Sequence, residues 1–312
     1  MKISELNNEL NIKRIIIWGL RTSYNDTLHF IQRGFFVTLK KLDIPVIWVN
    51  DDDKNRNLIQ DNDLIIATNR AMKWLPNHPN AKYCLHNPER SFVERLKIEQ
   101  YILLQVLTFD RFLELEQCDN NINKRFYGVA SYDHIGKVLH QSWGTPYLES
   151  EFMAPTYFPY KKSEYFVGTI WNNELNQGNT DIISAYRKVL NQLGCNFLHV
   201  KGAPEFMNPT FIRHSAIGSS IVGNWQRING YTPCRLFKAV SFGQLGSINS
   251  ESSKIQYPWV ISNENIDLLA NDVLSYSEKS IKELIRFQQL EVANETYECK
   301  IKNIQVALLS GI

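Results

Sequence analysis

The chain has 312 residues, enough for two cores of about 150 residues each. With 44% hydrophobic and 21% charged residues it has an ordinary globular make-up, so its cores need neither disulfides nor metals. Its net charge is +2 and the basic residues never gather into one run, which leads to the expectation that nucleic acid is not a partner.

The five cysteines, Cys84, Cys118, Cys195, Cys234 and Cys299, are odd in number, widely spaced and never arranged as CxxC. That argues against a disulfide scaffold or a zinc ribbon and for a reducing compartment. Residues 1–11 are polar and carry acidic groups, unlike a signal peptide. No apolar stretch approaches the ~20 residues of a membrane helix. The expected location is cytoplasmic, and the modest basic surface is compatible with peripheral contact at the inner face of a membrane.

Taken in order, residues 14–19 (RIIIWG) are a short apolar run closed by glycine, as in a buried strand, and 44–50 (IPVIWVN) repeat the pattern. Between them, 29–42 place Phe30, Ile31, Phe35, Leu39 and Leu42 on one helical face. Strand, helix and strand make a βαβ unit, and therefore a parallel sheet. Residues 63–68 (DLIIAT) and 82–86 (KYCLH) read as further strands. Residues 105–109 read either as another strand or as the end of a helix starting near Ser91.

Residues 142–162 lose all periodicity and hold Pro146, Pro155 and Pro159 among aromatics, as an interdomain connection would. A second α/β series follows. Strands are expected at 164–170, 196–201, 216–223 and 244–249, and an amphipathic helix at 180–193. Residues 265–290 close the domain as one long helix or two shorter ones. The expected domains are 1–155 and 156–312.

Ligands of open α/β sheets lie beyond the carboxyl ends of the strands, so the segments there are the candidate sites. In 231–249 (YTPCRLFKAVSFGQLGSIN), Pro233 suits the first turn of a helix, and Arg235 and Lys238 project from one side of it. Free amides at a helix start, a guanidinium and an ammonium together suit a phosphate; the bland reading is a surface helix with solvated cations.

A cationic helix followed by a glycine turn and a short strand resembles the donor-binding part of GT-B glycosyltransferases, with the specific match confined to about residues 164–249. The resemblance implies an α/β fold of two facing Rossmann-like domains with an interdomain cleft. The C-terminal domain would hold a nucleotide-sugar donor and the N-terminal domain a glycan or lipid-linked acceptor. Gly168 and Thr169 would approach the diphosphate, Gly223, Trp225 and Gln226 the nucleoside, and Arg235 and Lys238 the leaving group, without metal or other cofactor. No E-x7-E element stands where a retaining subfamily would have it.

The resembled enzymes often place a general base in the loop after the first strand. Asp26 and His29 are the candidates there, although Asp26 and Thr27 also look like a helix cap. His86 is the next candidate, and Asp51 to Asp53 suit an acceptor, a cation or simply a solvated turn. Two alternatives stand beside a transferase: an inactive GT-B-like binding or partner subunit, and another sugar-nucleotide enzyme such as an epimerase. A dehydrogenase is disfavoured, because WGLRTS replaces G-x-G-x-x-G after the first strand.

Overall fold

The computed structural model describes residues 1–24, 26–71, 73–107, 138–157, 163–173, 176–202 and 204–311. The chain divides into two units, Met1–Gln141 with Tyr297–Ile312, and Ser142–Thr296.

In the first unit α1 (Ile3–Glu9) leads into β1 (Arg14–Trp18), α2 (Thr27–Lys41), β2 (Val46–Val49), β3 (Asp63–Thr68), β4 (Lys82–His86), β5 (Tyr101–Gln105) and β6 (Val138–His140). The six strands form one sheet in the order β2-β1-β3-β4-β5-β6. All its pairs are parallel, with Ile15 opposite both Val46 and Leu64. Such strands are covered on both faces, which is why their sequences are unbroken apolar runs rather than alternating ones. Ile16, Trp18, Ile65, Tyr83 and Leu85 enter one core with Phe92. The segment at 101–105 is a strand; the expected continuation at 108–109 lies outside the described residues.

The last helix, Tyr297–Ser310, belongs to this first unit, where the sequence reading had placed it with the second half. Its Tyr297 ring sits 4.4 Å from that of Phe35 on α2. Gln305 Nε2 donates to Ile3 O and Asn7 Oδ1 on α1. In the strand order, β1 has β2 on one side and β3 on the other. The carboxyl ends of β1 and β3 are therefore the topological switch point, where sheets of this kind hold ligands.

The second unit has two parallel pairs. One joins β7 (Ser163–Val167) to β8 (Asn196–Val200), and the other joins β9 (Ser247–Ile248) to β10 (Ile261–Ser262). Its helices include α3 (Thr180–Gln192), α4 (Asn208–His214), α5 (Asn224–Ile228), α6 (Cys234–Ser241), α7 (Ile266–Ser275) and α8 (Glu278–Val292). Phe166, Tyr186, Leu190, Ile217, Ile221 and Leu269 share its core. Residues 265–290 are thus two helices, and Ser277 starts the second by accepting a bond from Ser280 N.

The strand expected at 216–223 is absent. That segment bonds once to each neighbour, Ala216 N to Ser163 O and Ser220 N to Ser247 O. The amides of Ile217, Gly218 and Ser219 turn instead to the carboxylate of Glu164. Val222 exchanges both backbone bonds with the Asn249 side chain. Side chains have taken the groups that a ladder would use. Among the described residues no helix is long and apolar enough to cross a membrane.

Candidate functional site

Helix α6 starts behind Pro233, which has the extended conformation of a helix cap (φ −76°, ψ 144°). Leu236, Phe237, Ala239 and Val240 are buried on one side, which leaves Arg235 and Lys238 one turn apart on the other. Arg235 is half-buried and its guanidinium is closely fitted. It lies over the Phe166 ring, 4.3 Å from the ring centre, and Nη2 donates to Ile221 O at 2.9 Å. Nη1 rests against Gly168, where an added Cβ would lie 2.4 Å away. The group that Gly168 makes room for is thus the Arg235 guanidinium, where the sequence led to the expectation of a diphosphate.

A guanidinium has five N–H donors, and only the bond to Ile221 O is made here among the described residues. Nε is enclosed and has no hydrogen-bond partner among the described residues. No carboxylate forms an ion pair with Arg235 or with Lys238 among the described residues. Burial pulls the Arg235 pKa below its usual value, opposed by Cys234, Tyr231 and, least, Glu164. A half-buried cation without a contacting carboxylate carries a desolvation cost, so this arrangement suits an anionic ligand.

The loop after β7 is held by its own side chains. Asn179 Oδ1 accepts from Trp171 N, and Asn179 Nδ2 donates to Thr169 O, leaving Thr169 exposed. Gly223 packs its backbone against Gly178 O and caps α5. Gln226 is partly committed there, since its Oε1 accepts from Gly223 N at 3.0 Å. Trp225, one residue earlier, is half-buried. Arg213 donates to Ala154 O and Phe242 O and so braces the unit. Phe166 and Ile221 were not picked out by the sequence reading. The signal for the first is the alternation that puts Glu164 and Phe166 on one face of β7, with Gly168 directly after the strand.

In the first unit the candidate bases stand at the switch point. Asp26 caps α2, with Oδ1 accepting from Leu28 N at 2.8 Å and Oδ2 pairing with Arg70 at 3.1 Å. His29 is buried, and Nδ1 lies 2.6 Å from Leu20 O. A carbonyl only accepts, so the proton sits on Nδ1 and neutral His29 carries its lone pair on Nε2. Trp48, Tyr24 and Phe30 surround the ring. His86 bonds Leu104 O, and burial pushes its pKa down to about 4. In the acidic turn, Asp53 Oδ1 accepts from Asn55 N and Asp52 Oδ1 from Asn50 Nδ2, while burial raises the Asp51 carboxyl.

Three solved structures are similar in fold. One is of the DNA-modifying enzyme β-glucosyltransferase, with and without uridine diphosphoglucose; it is 11% identical, with a TM-score of 0.54 over 96% of this chain and 99% of that one. Two structures of T4 phage β-glucosyltransferase, one with UDP-glucose, are 12% identical with TM-scores of 0.52 and the same coverage. No protein-family model matches the sequence, and no curated protein matches it either. The likeness establishes the fold, an α/β architecture of the GT-B kind.

It also corrects one expectation. Nucleic acid was set aside as a partner on the strength of net charge, yet a DNA-modifying enzyme carries this fold across nearly the whole chain. Net charge sums over the entire surface, whereas phosphate contacts are local. Near the carboxyl ends of β1 to β3, Arg21, Lys54 and Lys73 are exposed and have no carboxylate partner among the described residues. Lys54 and Lys73 both lie over the Trp74 ring.

Proposed function

We propose that the protein is a glycosyltransferase that takes a sugar from a nucleoside-diphosphate donor, with the diphosphate resting on Arg235. One observation carries this reading: a half-buried guanidinium at the carboxyl end of β7, oriented by a carbonyl and a ring, with most of its donors unspent. During transfer the acceptor oxygen bonds to the anomeric carbon, the bond from that carbon to the diphosphate breaks, and negative charge grows on the departing diphosphate. Arg235 and Lys238 offset that charge. Thr169, Trp225 and Gln226 stand on the segments next to Gly168 and Gly223 and would contact the sugar and nucleoside. His29 is the proposed base, because its Nε2 lone pair is fixed by the bond at Nδ1 and is suited to take the acceptor proton. Both Asp26 oxygens already serve the helix cap and Arg70.

The test is a thermal-shift series with UDP, GDP, ADP and dTDP, followed by a transfer assay. A ligand at a hundred times its Kd adds about 2.7 kcal/mol of apparent stability. UDP-glucose is the first donor to assay, because similar structures are described with it, and DNA joins glycans in the acceptor panel for the same reason. Donor binding that survives Arg235→Ala would remove the phosphate role. His29→Gln should cut transfer and leave nucleotide binding unchanged; equal turnover would remove His29 as the base.

A further inference from the structure

Glu164, the second residue of β7, is 2% exposed, and its carboxylate spans a turn. Oε2 accepts from Ile217 N at 2.9 Å and Gly218 N at 3.2 Å; Oε1 accepts from Ser219 N at 3.1 Å and from Ser219 Oγ at 3.3 Å. Three successive amides converge on one carboxylate because Gly218 has φ +70°, a left-handed conformation that glycine adopts freely. A side chain there would also run into Gln244 Cγ, 2.3 Å from an added Cβ. The Tyr186 hydroxyl, 2.7 Å from Ser219 Oγ, supports the same turn.

Two residues beyond this turn is Ile221, whose carbonyl holds Nη2 of Arg235. Glu164 also shares one face of β7 with Phe166, which lies under the guanidinium, and Gly168, which makes room for it, follows directly on the strand. A single short segment, 217–221, therefore connects a buried carboxylate to the carbonyl that, among the described residues, orients the half-buried cation.

We propose that Glu164 is a positioning residue for the phosphate site: it touches no substrate, and by fixing the turn at Ile217–Ser219 it sets the carbonyl on which Arg235 is aimed. This rests on the reading of Arg235 as the diphosphate ligand. Glutamine at 164 keeps the size of the side chain but turns an NH2 toward donors that need an acceptor, so the turn loosens and Arg235 loses its direction.

The experiment is calorimetric titration of UDP, GDP, ADP and dTDP into the full chain, taking whichever binds most tightly. Wild type, Glu164→Gln, Arg235→Met and the double variant are compared. Arg235→Met should weaken binding at least a hundredfold and Glu164→Gln about tenfold. The double variant should be no weaker than Arg235→Met alone, because the two residues act in series. A residue with only a general structural role would instead give losses that multiply, and that result overturns the proposal, as does wild-type affinity in Glu164→Gln. Should Glu164→Gln not fold, Ser219→Ala removes one donor and should cost two- to threefold in affinity; no change in that variant counts against the proposal. Normal binding by Arg235→Met, or no binding by wild type to any of the four, sinks the phosphate site itself. Loss in Arg235→Met with none in Glu164→Gln sinks only the role of Glu164.

Discussion

Arg14 in the first unit and Arg235 in the second are both partly buried, and their surroundings are opposite. Arg14 opens β1 and is matched by Asp63 at the start of β3, with Nε to Oδ1 at 3.0 Å and Nη2 to Oδ2 at 2.6 Å; Leu58 O takes a further bond. Asp63 is 1% exposed and its second oxygen also accepts from Gln60 N. Arg235 has a carbonyl, an aromatic face and a glycine around it, and no carboxylate in contact among the described residues. A pair that satisfies itself ties two strands together and has nothing left to offer a ligand. A cation left incomplete weakens its own unit and keeps its donors for something else.

The largest expected effect tests that contrast directly. Arg235→Met should reduce nucleotide-sugar use by a hundredfold or more while the melting temperature holds or rises, since an unmatched buried charge is removed. Asp63→Ala should do the reverse, lowering stability by about 2–3 kcal/mol in chemical denaturation, discounted because Arg14 is partly exposed. Nucleotide affinity should be unchanged in that variant; a large loss would mean that the two arginines are not separate in role.

Acid provides a third test, confined to the first unit. The folded pKa of His86 is about 4, against an ordinary 6.5, so between those values the unfolded chain holds a proton that the folded chain does not. Stability should therefore fall as pH drops through 6.5 and level off below about 4, for a total of about 3 kcal/mol. Replacing His86 with Gln should flatten that slope in denaturation measured across this range. The smallest effect is expected from Gly168→Ala. The new methyl pushes Nη1 aside and should weaken donor binding about tenfold, or about 1.4 kcal/mol, with the fold intact.

The sequence was legible where neighbours along the chain decide the outcome. The runs DLIIAT and KYCLH are strands at the expected limits, because a strand covered on both faces needs only a short apolar stretch. Arg235 and Lys238 share a helix side because three residues are nearly a turn. What was missed depends on partners far along the chain. AIGSSIVG has a strand's composition, but its amides go to Glu164, more than fifty residues earlier. The guanidinium's seat on Phe166 and Gly168 joins positions nearly seventy residues apart. The last helix has an apolar face that fits either half; it is the packing of Tyr297 on Phe35 that assigns it.

That return of the last helix has a consequence for how the protein comes into being on the ribosome. The second unit is one uninterrupted stretch, Ser142–Thr296, and where it begins and ends the chain is joined to itself by the bond from Thr145 N to Glu295 O. All of its residues have been added once that stretch has emerged. The first unit, although begun earlier, lacks the helix that covers Phe35 and binds Ile3 until residues 297–310 have been added. Of the two units, the one begun first is completed after the other.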